Sequence, residues 1–379
     1  MTKTLKIGFV LPGFSAHPDD WAIPALQSLV TTLARAHPIT VFSQRYPAKG
    51  FYDWAGVKHY ALGAGQGAGP ASIKMWLQSA WSIVRQHQKD PFDLLHAFWA
   101  DEAGFSAVLA GAVIKRPVVV SLGGWELTHI PAIHYGAQRF LSRRLTVRYA
   151  LSQAACVTAG SNYQLDLCRA HQVPEHKLRL APLGVDTEHF RPPQPDNRAN
   201  LPPTIVQAAS FLPVKNQALL LQILRQVKAD IPAIRLHLAG SGPLQPDLLR
   251  LAQELDLNGQ ILWHQQLAHR ALPQLYGQSH LYLQTSWHES QGLAVLEAMA
   301  CGAPALGTPV GVVREVACRP AQASVEGLAA QVSQALGDWA QWREKSAQAR
   351  RLVEQEFSLP VASRNFLRLY QSCLENKTG

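Results

Sequence analysis

No Cys-x-x-Cys pair occurs among the five cysteines, Cys156, Cys168, Cys301, Cys318 and Cys373. Their odd number and wide spacing exclude a disulfide frame and predict reduced thiols. No apolar run reaches the ~20 residues that a membrane-spanning helix needs; Ala103 to Ile114 comes closest and is too short. Met1 to Val10 enters a β-like run without leader architecture, which predicts a cytoplasmic protein. Charged residues make up only 16% against 47% apolar, and no polar low-complexity tract interrupts the chain, so both halves are expected to fold. Acidic residues are in the minority: 35 Lys and Arg against 26 Asp and Glu give a net charge of +9, which favours anionic partners. The cations are dispersed, with no basic arm, zinc pattern or glycine-aromatic signature, and nucleic acid is not an expected partner.

A chain of 379 residues is too long for one ordinary core and favours two domains of similar size. Short apolar or β-branched runs alternate with helical patterns, first at Leu5 to Leu11, Ile39 to Ser43, Leu94 to Phe98, Pro117 to Leu122 and Ala154 to Ala159. The alternation restarts at Thr204 to Ala209, Ile234 to Ala239, Ile261 to Trp263, Leu281 to Gln284 and Ala303 to Leu306. Such a pattern predicts βαβ units around parallel sheets. Between the two series, the Pro-rich polar stretch Arg191 to Pro203 reads as an interdomain linker. The expected class is α/β, with Rossmann-like doubly wound domains over 1–192 and 193–358. Their ligand crevices belong at the carboxyl ends of the strands, where they can face each other across a cleft. The closing helical pattern, about 359–375, is free to pack back on the first domain.

The most informative stretch is Ser286 to Pro304, SWHESQGLAVLEAMACGAP, a predicted strand end that turns into a helix around Gly292. A helix opening at Gly292 and Leu293 leaves backbone N–H groups that favour an anion such as a diphosphate. Glu289 lies in the loop before that helix and Glu297 in its second turn. An ionised carboxylate takes two hydrogen bonds at once, which suits sugar or ribose hydroxyls. Two Glu at such spacing are common on exposed helices, but these flank a Gly inside the apolar run GLAVLEAMA, where a carboxylate needs a partner. A lone Lys such as Lys215 is usually a solvated charge; its place just after a strand and turn makes it a candidate for anion binding. In the first half, Gly13 in LPGFS gives a turn after the first strand that can approach phosphates or simply join strand to helix. Asp19 and Asp20 read as the cap of a helix beginning near Trp21. His96 ends a buried strand, where a core role competes with a functional one.

Glu289 and Glu297, followed by Ala298-Met299-Ala300-Cys301-Gly302, resemble the signature of the retaining family-4 glycosyltransferases with the GT-B fold. The similarity extends over nearly the whole chain: Ser161 to Pro192 resembles the family's end-of-first-domain segment and Ala208 to Leu224 its phosphate-lysine segment, while LAGSGP at Leu238 to Pro243 also fits. The resemblance implies a nucleotide-diphosphate sugar as donor, an unidentified acceptor (glycan, lipid or small molecule), no cofactor and no metal. It implies that Glu297 binds the ribose, Glu289 holds donor hydroxyls, and Gln291, Gly292 and Leu293 present backbone N–H groups to sugar and diphosphate. Lys215 would stabilise charge on the departing diphosphate. Ser210 stands where the family pattern often has Arg, and Gly123 where it commonly has a functional His. Glu126 and His129, with His96, then become the acceptor-side candidates. Asp19 and Asp20 are not the separated acidic pair that holds a metal-bound donor.

Transfer with retention at the anomeric carbon is the reading these residues favour; a non-catalytic nucleotide-sugar binder of the same fold and a nucleotide-sugar epimerase are the alternatives. Arg139, Arg143, Arg144 and Arg148 lie in a helical stretch with Phe140, Leu141, Leu145 and Val147. That stretch is either a helix whose cations face water or a basic surface resting peripherally on an anionic membrane.

Overall fold

The computed structural model describes residues 4–20, 22–65, 70–265, 267–316 and 324–375. The chain divides into two compact units, Met1–Gly184 with Leu359–Gly379, and Val185–Ser358.

The first unit is built on strands β1 (Ile7–Gly13), β2 (Ile39–Tyr46), β3 (Gly50–Trp54), β4 (Val57–Ala61), β5 (Leu94–Phe98), β6 (Val118–Ser121), β7 (Cys156–Ala159) and β8 (Leu178–Leu180). They form one sheet in the order β3-β4-β2-β1-β5-β6-β7-β8, parallel except for the β3–β4 hairpin. Helices α1 (Pro24–Ala34), α2 (Pro70–Lys89), α3 (Glu102–Ile114), α4 (Leu141–Gln153) and α5 (Asn162–Ala170) make the crossovers. Every residue of β5, β6 and β7 is buried, as expected where helices cover both faces of a parallel sheet. The C-terminal helix, Leu359–Glu375, buries Ala362, Phe366, Leu369, Tyr370 and Cys373, one face at helical spacing, and the last four lie in the same core as Phe9 and Phe98.

The second unit has β9 (Thr204–Ala208), β10 (Arg235–Ala239), β11 (Ile261–His264), β12 (Leu281–Gln284) and β13 (Ala305–Gly307), all parallel, in the order β11-β10-β9-β12-β13. Its helices are α6 (Gln217–Asp230), α7 (Gln245–Glu254), α8 (Leu272–Gly277), α9 (Leu293–Ala300), α10 (Val313–Val316), α11 (Val325–Gly337) and α12 (Trp339–Leu352). The stretch read as a linker is anchored here. Arg198 is buried, donates to the Gly302 carbonyl at 2.7 Å, pairs with Asp196 and lies 4.8 Å from the Trp342 ring. Val185 and Phe190 also belong to this unit's core.

Both sheets reverse strand order once. β1 lies between β2 and β5, and β9 between β10 and β12, so the loops leaving β1 and β5, and those leaving β9 and β12, diverge and open a crevice. One expectation fails nearby. The helix assigned to begin near Trp21, a residue outside those described, starts at Pro24, and its N-cap Ile23 makes no side-chain cap. Asp20 instead accepts from Ala16 N at 2.7 Å and from the Tyr46 hydroxyl at 2.7 Å. It closes the turn after β1 and does not cap α1.

Candidate functional site

At the second unit's switch point, the chain leaving β9 makes a short helical turn, Pro213–Lys215, then passes through Asn216 in the left-handed region (φ 50°) before α6. This turn carries Lys215 back toward the loop after β12. Its ammonium nitrogen lies 2.5 Å from Glu289 Oε1, and Ser286 Oγ donates to the same oxygen at 2.7 Å. Backbone bonds fix both loops. Trp287 N donates to Val214 O at 2.8 Å, and Thr285 Oγ1 to Lys215 O at 3.1 Å. Gly292, three residues after Glu289, is the N-cap of α9 with φ 92° and ψ 58°. Only glycine adopts that backbone without strain, and it lets the loop turn directly into the helix, whose opening N–H groups have no partner within it. Gln291 holds the other side, its carbonyl accepting from Val312 N at 2.6 Å. Lys215, Glu289, Gln291, Gly292 and Leu293 are thus gathered around one helix N-terminus.

Glu297 faces a second set of partners. His269 Nε2 lies 2.8 Å from its Oε1, and the buried Tyr276 hydroxyl donates to Oε2 at 3.3 Å. Burial, followed by the Glu297 charge, pushes the Tyr276 phenol well above its ordinary value, so it stays a donor. Neither His269 nor Tyr276 was singled out from sequence; a His twenty-eight residues from the Glu it meets leaves no local pattern. Ser210 sits in the loop after β9, exposed, with its carbonyl accepting from Gln217 Nε2 at 3.1 Å.

In the first unit the loops leaving β5 and β6 form a different arrangement. Trp99 has φ 71°, a left-handed backbone that is strained for a bulky residue. Its indole lies against Gly123, where a Cβ atom would come within 1.9 Å of Trp99 Nε1. The histidine that the family pattern places at position 123 therefore has no room here. Glu126 is fully buried and accepts from Ala100 N at 3.1 Å, Gly123 N at 2.8 Å and Gly124 N at 2.6 Å. Burial, aided by Asp101, pushes its carboxyl up to about 7, against the opposing pull of backbone hydrogen bonds that include those from Gly123 and Ala100. Glu126 is a brace for the two loops, with no surface left for an acceptor.

Beside it Glu102 takes Arg45 through both oxygens at 2.7 Å, and Arg143 NH2 at 2.8 Å. These groups, with Pro12, Trp99, Asp101 and Trp125, line a cavity of about 390 Å³. Arg143, read as one of four surface cations, turns inward because two buried acids at the start of α3 need a counter-charge. The other acceptor-side candidates fall elsewhere. His96 is sealed in the core, 2.7 Å from both the Tyr370 hydroxyl and Ser121 Oγ, and burial lowers it to about 3. It joins the sheet to the C-terminal helix, which corrects its place among acceptor groups. His129 is exposed. Gly13 ends β1 and is buried against Tyr46. Among the described residues no three His, Cys, Asp or Glu side chains are grouped to hold a metal ion.

Comparison with known proteins accounts for both units. Residues 22–184 match the glycosyl transferase 4-like domain and residues 192–353 the glycosyl transferases group 1 family. The chain is 25% identical over 320 residues to N-acetyl-alpha-D-glucosaminyl L-malate synthase of Bacillus anthracis, covering 80% of this chain and 81% of that one. It is 24% identical to the GDP-mannose-dependent alpha-(1-6)-phosphatidylinositol monomannoside mannosyltransferase of Mycolicibacterium smegmatis, over 86% of this chain and 93% of that one. Among solved structures, sucrose-phosphate synthase from Thermosynechococcus elongatus superposes with a TM-score of 0.77 at 20% identity, covering 98% and 100% of the two chains. HepE of Anabaena, solved with UDP and glucose, gives a TM-score of 0.73 at 18% identity over 97% and 100%. Two Rossmann-like units in series, the matches that between them span residues 22–184 and 192–353, and these neighbours make the chain a glycosyltransferase of the GT-B fold, with a family-4-like first domain and a group 1 second domain.

Proposed function

We propose that the second unit binds a nucleotide-diphosphate sugar and that the enzyme transfers the sugar with retention and without a metal ion. The observation that carries this reading is the pairing of Lys215 with Glu289 beside the α9 N-terminus. An ammonium has three N–H donors, so Lys215 can keep Glu289 and still reach diphosphate oxygens. The helix N–H groups and Lys215 together take up the charge that grows on the diphosphate as its bond to the anomeric carbon breaks. Glu289, held in place by Lys215 and Ser286, is oriented to accept from the donor sugar's hydroxyls. Glu297, fixed by His269 and Tyr276, accepts from the ribose. The departing phosphate takes the acceptor's proton, and attack from the leaving-group face preserves configuration. HepE, whose structures hold UDP and glucose or UDP-glucose, supports this class of donor.

The relatives' names give unlike acceptors, L-malate in one and a phosphatidylinositol mannoside in another. In this chain the first unit's cavity balances Arg45 and Arg143 against Asp101 and Glu102 and adds two indole faces, Trp99 and Trp125. A charge-balanced, aromatic pocket suits an uncharged, polyhydroxylated acceptor group. The test is calorimetric titration of wild-type protein and Glu297→Ala with UDP, GDP and ADP sugars, followed by product NMR. A donor that binds both proteins equally, or a product with inverted configuration, would overturn the assignment.

A further inference from the structure

The outward face of the first unit carries a pattern that glycosyl transfer does not use. Helix α3 packs between α2 and α4, and its Phe105 meets Trp76 of α2 and Tyr149 of α4 at centroid distances of 5.3 and 5.6 Å. On α2 the side chains at four-residue steps, Ile73, Leu77 and Trp81, are 53%, 58% and 62% exposed. On α4 the same spacing exposes Leu141, Leu145 and Tyr149 at 69%, 60% and 41%. Two helices on either side of α3 thus turn apolar stripes outward while each still buries its opposite side in the core, and exposed apolar groups on one face mark an interaction surface.

Charge decides what covers it. Exposed Lys74, Arg85, Arg144 and Arg148 lie among these residues, with Arg85 stacked 5.2 Å from the Trp81 ring. The only carboxylate in α2, α3 and α4 is Glu102, buried and held by Arg45 and Arg143. At the edge of the patch a cavity of about 560 Å³ is lined by Arg144, Arg148, His171 and Lys177 together with Val147 and Leu151, and by no acid. A two-fold pairing of this face with a second copy would set these cations against one another. Apolar and aromatic groups at the boundary, flanked by cations whose stems can lie along it, match an anionic bilayer surface.

We propose that this face docks on an anionic lipid bilayer: Leu77, Trp81, Leu141 and Leu145 enter the headgroup boundary, and the cavity beside α4 takes a lipid phosphate. No helix among the described residues is long and apolar enough to cross a membrane, so the docking is peripheral.

The test is co-sedimentation of the whole chain with vesicles of phosphatidylglycerol mixed with phosphatidylcholine, against vesicles of phosphatidylcholine alone. Binding is expected only to the first, and R144E with R148E should lower it by more than about 25-fold, about five-fold for each surface cation lost and a further loss for each anion gained. Leu77→Ser with Leu145→Ser should lower it comparably. These side chains are exposed, and an unchanged melting temperature with unchanged donor binding shows that each variant is folded. Equal partition onto both vesicle types, wild-type partition of either double variant, or a dimer in sedimentation that Leu145→Ser dissolves would overturn the proposal.

Discussion

In the second unit, the loops leaving β9 and β12 bring Lys215 to Glu289 at 2.5 Å in a place still partly open to solvent. In the first, the loops leaving β5 and β6 bury Glu126 under three backbone N–H groups and set an indole over a glycine. Both units are doubly wound sheets, but the loops leaving β9 and β12 flank their sheet's switch point, while those leaving β5 and β6 lie to one side of theirs. The carboxylates differ in what they are free to do. Glu289 shares its charge with a partly exposed ammonium and can exchange partners, while Glu126 has spent its lone pairs on the scaffold. One crevice is built to respond to charge and the other to hold a shape.

If that contrast is right, the largest effect should come from Lys215. Lys215→Ala removes a group whose contact strengthens as the diphosphate leaves, so kcat should fall on the order of 10³-fold, about 4 kcal/mol of transition-state stabilisation. Steady-state kinetics showing only a raised KM would remove the leaving-group role and leave Lys215 as a binding residue. Its melting temperature should barely move, because the pair is partly solvated.

Glu126 should behave in the opposite way, through the fold. Glu126→Ala strands three buried N–H groups and should destabilise the first unit by about 3 kcal/mol in urea denaturation. The sign of its pH dependence is also fixed. Burial pushes its folded carboxyl up to about 7 from an ordinary 4.5, so the native state binds the proton more tightly than the unfolded chain. Stability should therefore be greatest below the ordinary value and decline as pH rises from there toward 7, by at most about 3 kcal/mol. Glu126→Gln should be weaker at every pH and should lack this slope. A wild-type stability flat across that range would place the proton elsewhere.

Glu297 tests the second unit again, at smaller scale. Glu297→Ala should weaken nucleotide affinity about 10- to 100-fold by calorimetry, the loss of a charged hydrogen-bond acceptor. His269→Ala should weaken it only a few-fold, since Tyr276 still holds one carboxylate oxygen. If both substitutions cost the same, the histidine touches the nucleotide directly.

What could be read from the sequence follows the same division. Each of the ten apolar runs became a strand, because a parallel strand buried over most of its length is largely apolar and needs no partner to be seen. The Lys215 and Glu289 loops were legible because a lysine after a strand and a carboxylate before a glycine-opened helix are local patterns. The edge strand β3, mostly exposed, β4, which alternates buried and outward residues, and the three-residue β8 lack a continuous apolar run and were not foreseen. Nor was the Glu102 frame, since Arg45, Glu102 and Arg143 meet only when the sheet assembles. Arg143 shows the limit plainly. Its neighbours Arg144 and Arg148 are exposed, and helical spacing alone did not say which of the cations turns in.

Trp99 offers the finest test of the shape-holding crevice. Its backbone lies at φ 71°, where any residue with a Cβ is strained and glycine is not. Trp99→Ala and Trp99→Gly lose the same indole contacts with Gly123, so the difference between them isolates the backbone. In an ordinary strand end Ala would be the more stable of the two, because glycine gives the unfolded chain more freedom to lose. Here the order should reverse, with Gly more stable than Ala by about 1 kcal/mol in paired denaturation curves. Should Ala prove the more stable, the loop relaxes when the indole is gone. The indole packed against Gly123, and not the neighbouring strand ends, would then be what holds the left-handed turn in place.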